Sequence, residues 1–360
     1  MKKIATLCLF VLVLTLTGCT STVPAPDGAV GPLTIMDAQG RTVELPAVPL
    51  RIVIAGRASA LLADAVYLFP EARERVVAYS TTSQGTGDFI AALDPDYADK
   101  AAFGTDVGPE QVAAFTPDLV IMKSYMAEKL GTPLEALGIP VIYLDLETPD
   151  QYTRDLNILG QIFQNEARAA ELSAYYGSVV LRVKAGLAES QPRPQVLLLY
   201  YNNRDGEVAF NVPPVGWLQT TLVQLAGGDP VWQDIELGTG WTKVNLEQIA
   251  AWNPDQIYVV AYTVNAADIV PELEQDPAWQ ALQAVQNGQL HAFPVDYLSW
   301  DQPDPRWALG LLWLADTIQP GVLPVDMPAE TRIFYEKLYL LDDAAYAELI
   351  SPVLPTNLEP

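Results

Sequence analysis

The chain of 360 residues is half hydrophobic and only 18% charged, which excludes a disordered or fibrous protein and leaves room for two domain-sized cores. A formal net charge of −24 repels phosphate backbones over the whole surface and excludes nucleic acid as a partner. A single histidine excludes a zinc cage of several imidazoles or a three-histidine catalytic centre; no cofactor and no metal site of the chain's own is expected, although carboxylates alone could form an oxygen site for a free divalent cation, and any metal it handles is expected to arrive already chelated.

In chain order, Lys2 and Lys3 precede the uncharged run 4–17, short for a bilayer span and the right length for the apolar region of an export signal. It ends in Leu16-Thr17-Gly18-Cys19, which resembles the bacterial lipobox. Residues 1–18 therefore read as a signal peptide and Cys19 as the lipidated first residue of the exported chain. Cys8 leaves with the signal and Cys19 is consumed by lipid, so no disulfide is expected. The stretch TSTVPAPDGAVG after it has no apolar period, and 19–32 is expected to be a flexible tether.

The body opens with a turn at Gln39-Gly40, an alternating run 42–45 and a short apolar strand over 51–56. Apolar runs recur at 76–79, 119–122 and 141–144 with helix-like segments over 59–68 and 110–115 between them. A second series follows, with strands expected at 196–201, 256–262 and 290–293 and helices at 218–225 and 246–251. Strands alternating with helices predict α/β lobes with mostly parallel, helix-covered sheets, the first over 33–150 and the second over 190–360. In the connecting segment 151–189, apolar residues at helical spacing after an Asn165 cap predict one long helix over 166–187. At ~1.5 Å per residue such a helix reaches about 33 Å, enough to join two lobes along the body.

PEQVAAFTPDLVIM at 109–122 and LEQIAAWNPDQIYV at 246–259 match at an offset of 137 positions, with six identities in fourteen. The lobes therefore look like repeats of one helix-turn-strand unit, with a cleft between them as the expected ligand site. Pro-Asp as ordinary turn chemistry before a strand is the other account of the match.

With these segments, DAQGRTVELPAVPLRIV (37–53), PEQVAAFTPDLVI (109–121), LGIPVIYLD (137–145), LEQIAAWNPDQIYVV (246–260) and DPAWQALQAVQNGQLHAFP (276–294), the sequence resembles the substrate-binding lipoproteins of bacterial ABC importers. The resemblance is to the rigid-helix class that handles ferric siderophores, haem and cobalamin, and it spans nearly all of the chain after the signal. It implies two Rossmann-like lobes joined by one long helix, a shallow cleft between them, and no bond chemistry. It implies as partners an ABC permease with its ATPase and a small-molecule metal chelate, and a location on the outer face of the cytoplasmic membrane, or its periplasmic side where there are two membranes, held by lipid alone. It also implies docking on the permease through one glutamate per lobe, and the matching positions are Glu110 and Glu247. Each could instead only stabilise the first turn of its helix through the macrodipole.

Ligand candidates stand where strands end and helices begin. In the first lobe these are Arg57, Ser83, Gln84, Lys123 and Tyr125, and in the second Tyr201, Asn202, Arg204, Trp241, Tyr262, Tyr297 and Trp300; Asp301 is a further possible contact. Arg57 and Arg204 could clamp an anionic chelate while the aromatic rings cover its apolar flanks. The competing roles are core packing for each ring and a carboxylate-paired surface position for each arginine. His291 reads as an ordinary strand residue. No nucleophile, zinc-protease, dinucleotide or P-loop pattern is present, so the chain reads as a non-enzyme. The alternatives are the same scaffold carrying an oxyanion such as molybdate or tungstate and, behind it, a carboxylate-pair glycosidase or glycan-binding protein.

Overall fold

The computed structural model describes residues 31–360 except 82–84, 86, 189–191, 205–206, 236–237, 356–357, 359–360 and the side chain of residue 204. The export signal, Cys19, residues 20–30 of the tether, Ser83 and Gln84 lie outside the described residues. Among those described, no helix is long and apolar enough to cross a membrane.

An antiparallel hairpin comes first, β1 (Leu33–Met36) with β2 (Thr42–Leu45), and turns at Gly40, whose φ of +74° suits glycine. The first lobe then runs β3 (Ile52–Ile54), α1 (Ser59–Val66), α2 (Ala72–Arg75), β4 (Val76–Ser80), α3 (Phe89–Leu93), β5 (Ala101–Phe103), α4 (Pro109–Ala113), β6 (Leu119–Lys123), α5 (Thr132–Ala136) and β7 (Val141–Leu144). Its five strands lie in the order β5-β4-β3-β6-β7, and every pairing is parallel. Strands β3, β6 and β7 are buried at every residue. Such continuous apolar runs are what a sheet covered on both faces requires.

Two helices follow, α6 (Pro149–Phe163), which sequence periodicity did not single out, and α7 (Glu166–Gly186). The second lobe comprises β8 (Gln195–Arg204), β9 (Glu207–Val212), α8 (Leu218–Leu225), β10 (Asp229–Pro230), β11 (Thr242–Val244), α9 (Leu246–Trp252), β12 (Gln256–Val260), α10 (Ala266–Gln275), α11 (Gln283–Gln286), β13 (Leu290–Ala292), α12 (Trp307–Ile318), α13 (Met327–Tyr339) and α14 (Asp343–Ala345). Its sheet has the order β11-β9-β8-β12-β13, with β10 beside the start of β8. The β8–β9 hairpin makes it a mixed sheet, while β10, β12 and β13 continue the parallel pattern.

The internal repeat is structural. Both copies form a short helix, a left-handed residue at Thr116 (φ 46°) or Asn253 (φ 47°), and a strand beside the central one. The repeated aspartates hold the starts of those central strands. Asp118 accepts from the backbone N–H groups of Leu50 and Arg51 at 3.0 Å, and Asp255 from that of Gln195 at 2.8 Å.

Helix α7 is the spine predicted from its periodicity. Asn165 caps it by accepting from the backbone of Arg168, and Leu172, Tyr176, Val179 and Val183 form its buried stripe. Buried Arg168 donates to the carbonyl of Leu68 in the first lobe at 3.1 Å and to that of Leu338 in α13 at 2.6 Å. One side chain thereby satisfies two orphan carbonyls on elements far apart in sequence.

A second tie between the lobes is ionic and fully buried. Arg306, just before α12, contacts Asp64 of α1 at 2.5 Å, Asp296 at 2.6 Å and Asp304 at 2.7 Å, and its guanidinium lies over the ring of Phe89 in α3. The Tyr335 hydroxyl of α13 donates to Asp296 and accepts from Arg306, and Tyr339 donates to the carbonyl of Asp64. Three carboxylates around one cation leave excess negative charge in a dry setting. Burial pushes Asp64 up to about 6 and Asp304 up to about 8, against the pull of Arg306. Folded pKa values above the unfolded range mean stability that is full below about pH 4 and is lost as pH rises through about 6 and 8. The melting temperature should therefore fall between pH 5.5 and pH 8.5, and Asp304→Asn should flatten the upper part of that fall. A melting temperature that rises over this window, or a slope unchanged in the variant, would contradict the assignment.

Candidate ligand-binding cleft

Parallel strands place their C-terminal ends and the following loops on one edge of each sheet. The two edges face each other across a cleft of about 450 Å³. From the first lobe come Ala58 and Leu61 at the start of α1, Tyr125 after β6 and Glu147 after β7; from the second come Trp217, Gln219, Thr239, Trp241, Tyr262, Gln302 and Pro303. The second-lobe wall is a stack of rings. Tyr200 lies 4.6 Å from Tyr262 and 4.9 Å from Trp241, and Trp217 meets Trp241 edge-on at 5.7 Å. Packing of each ring by the next fixes its orientation, so the wall offers a preformed apolar surface.

Of the residues expected from sequence, Tyr125, Trp241 and Tyr262 line this cleft. Arg57 is adjacent to it, beside Ala58, and its exposed guanidinium pairs with Asp106 at 3.2 Å. Asp106 also binds Lys129 at 2.8 Å, and the two cations hold its carboxyl below the usual range. Lys123 is buried at the end of β6, paired with Glu147 at 2.9 Å and donating to the carbonyl of Asp145. It stands behind the cleft wall and presents Glu147 to the cavity. On β8, Tyr201 is buried against Phe210, Asn202 is half-buried, and Arg204 stands at the hairpin end opposite Glu207.

Two expected aromatics stand elsewhere. Trp300 is fully buried and its indole N–H donates to Asp296 at 3.0 Å, so it belongs to the ionic tie between the lobes. Tyr297 lines a second cavity of about 350 Å³ on the opposite face of α1, bounded also by Asp64, Tyr67, Tyr79, Asp88 and Tyr97. Gly85 crosses beside it, donating to the carbonyl of Tyr262 at 3.0 Å. Its φ is +85° and a side chain there would meet the Tyr297 carbonyl at 2.1 Å, so only glycine fits. Asp301 does not reach the cleft: it is fully buried behind the wall and accepts from Tyr262. His291 stacks on Tyr258 within the second sheet, and burial lowers its pKa.

Sequence reasoning missed Trp217, Gln219, Thr239 and Gln302. Trp217 occupies the cap position before α8, at a strand-to-helix junction of the kind used to choose the other candidates, so its signal was available. The repeated glutamates are exposed in the first turns of α4 and α9. Both helices lead into parallel strands, so their N-termini lie at the sheet edge where the cleft opens, one on each side.

Two α/β lobes on a long spine enclose a preformed aromatic cleft between them. The chain belongs to the periplasmic binding protein family, whose sequence model matches residues 90–297. It is 23% identical over 281 residues to the molybdate-binding protein MolA of Haemophilus influenzae, covering 70% of this chain and 76% of that one. It is 28% identical over 243 residues to a vitamin B12-binding protein of Yersinia pestis, covering 62% and 82%. Its fold is similar to that of a periplasmic solute-binding protein from Veillonella parvula, with a TM-score of 0.70 at 23% identity over 89% of this chain and 97% of the other. The protein is thus a periplasmic-type binding protein.

Proposed function

We propose that the protein is a lipid-anchored component of an ABC import system that captures a chelated metal compound, a ferric siderophore, haem or a corrinoid, and delivers it to the permease. The observation that carries the reading is the cleft wall of Trp217, Trp241 and Tyr262 facing Tyr125. Flat, preoriented rings on the second-lobe wall with the Tyr125 ring opposite suit a large ligand with extended apolar faces. The cationic side chains Arg57 and Lys123 are already engaged by Asp106 and Glu147, which favours such a ligand over a small oxyanion needing free donors. Cys19 supplies the anchor, and Glu110 and Glu247 supply docking contacts on the permease.

A thermal-shift and tryptophan-fluorescence panel tests the ligand class with ferric catecholate and hydroxamate siderophores, haem, cobalamin, molybdate and tungstate. A ligand specific for the folded state at ~100 times Kd adds about 2.7 kcal/mol, a visible rise in melting temperature. Trp217→Ala and Trp241→Ala should each weaken binding of the responding chelate at least about tenfold, since buried aromatic anchors contribute on the order of 2 kcal/mol. A response to molybdate or tungstate alone would replace the chelate by the oxyanion. Unchanged affinity in both tryptophan variants would remove the cleft from the site.

A further inference from the structure

Behind the aromatic wall lies Asp301, which the sequence offered as a direct ligand contact and which the fold places one layer back from the cleft. Asp301 is fully buried in the loop after β13, and among the described residues no cation acts on it. Besides its own backbone N–H, three side-chain donors converge on it: the Ser299 hydroxyl on Oδ1 at 2.5 Å, the Tyr262 hydroxyl on Oδ2 at 2.7 Å, and the Gln219 Nε2 on Oδ2 at 3.4 Å. Two of these donors, Tyr262 and Gln219, also line the cleft.

A carboxylate only accepts, so each partner must turn a hydrogen towards it. Tyr262 has one hydrogen and spends it on Asp301, and its oxygen also accepts from the Gln219 side chain, which leaves one lone pair for the cavity. Gln219 is bound through its NH2, which determines the sense of the amide and leaves Oε1 as the end not engaged by Asp301. On the facing lobe, Glu147 adds another acceptor, with one oxygen on Lys123. We propose that Asp301 is a positioning residue that sets the specificity of the cleft, turning Tyr262 and Gln219 acceptor-outward so that the site selects a ligand bearing N–H donors, carboxamide or ammonium, on its apolar framework. The inference rests on the reading of the cleft as a chelate site and names the polar feature that the chelate must carry. Burial raises the pKa of Asp301 and its three donors oppose that rise. A proton taken up on Oδ1, towards Ser299, leaves Oδ2 an acceptor and the arrangement intact.

The test compares wild type with Asp301→Asn and, because a change at a buried carboxylate can impair folding, with Gln219→Leu, which leaves Asp301 in place. Each purified protein is titrated, with intrinsic fluorescence as the readout, against two N–H-bearing probes, cyanocobalamin and ferrichrome. The acceptor-only probes are molybdate and haem. Wild type should prefer an N–H-bearing probe, and both variants should narrow the ratio of affinities between the two sets at least about tenfold, because a polar wall that loses its partner stops discriminating. The ratio separates positioning from mere destabilisation, which would weaken all probes together. Preference of wild type for molybdate or haem, or an unchanged ratio in the variants, would overturn the role of Asp301 while leaving the protein a binder of that solute. Binding of no probe by wild type would overturn the chelate reading itself, and this inference with it.

Discussion

Replacing Arg306 by methionine should lower the melting temperature by on the order of 10 °C near neutral pH. The guanidinium has no exposure and neutralises Asp64, Asp296 and Asp304 at 2.5 to 2.7 Å. Methionine fills part of its volume but leaves the buried carboxyl groups of Asp64, Asp296 and Asp304 without their cation, of which Asp304 already holds its proton near neutral pH. Breaking a buried ionic group by removing one partner costs about 3–5 kcal/mol, and each kcal/mol is worth roughly 2–4 °C in a chain of this order of size. The loss has a signature that a packing defect lacks. Without the cation Asp64 and Asp304 hold their protons to still higher pH, so the variant should be least impaired near pH 5 and most impaired near pH 8.5. Thermal melts at the two pH values check both statements, and a drop under about 2 °C at both would show that the cluster contributes little. Because Asp64 and Phe89 belong to the first lobe and Asp296, Asp304 and Tyr335 to the second, the same substitution loosens the lobes relative to each other.

The second large effect concerns delivery. Glu110→Lys combined with Glu247→Lys should reduce uptake into cells to background while ligand affinity stays within about twofold of wild type. Both carboxylates are exposed, in the first turns of α4 and α9, and lie outside the cleft lining. Two separated charges set the register of a basic partner and speed its encounter, and reversing both turns attraction into repulsion. A role limited to the helix macrodipole would cost only ~0.3–1 kcal/mol per site and leave uptake near normal. Normal uptake in the double variant would therefore return these glutamates to a local structural role, and lost ligand affinity would connect them to the cleft.

The acidic body, the alternation of apolar strands with helices, the spine after Asn165 and the repeat at an offset of 137 positions were legible because they depend on local order. A buried parallel strand needs an unbroken apolar run, a spine needs helical period, and a duplicated unit keeps its turn chemistry, as Asp118 and Asp255 do at the starts of β3 and β8. From these the cleft and some of its lining, Tyr125, Trp241 and Tyr262, could be placed at strand ends. The mixed character of the second sheet was less visible, since β9 is too exposed to show a strong alternation.

What only the tertiary structure decided is which side chains meet across long separations. Asp64 and Arg306 are 242 positions apart, and no period or motif couples them. Trp217 and Trp300 have equal claims as aromatics in loops, yet one lines the cleft and the other is sealed behind it with its indole on Asp296. Lys123 and Asp301 carry charges that a sequence reading would place in the site, and both stand one layer back, holding Glu147 and Tyr262 respectively. The physical reason is common to all of these. Local propensity and period determine whether a residue is buried, but the burial partner of a polar group is chosen by where the packed lobes leave an unsatisfied charge or hydrogen bond.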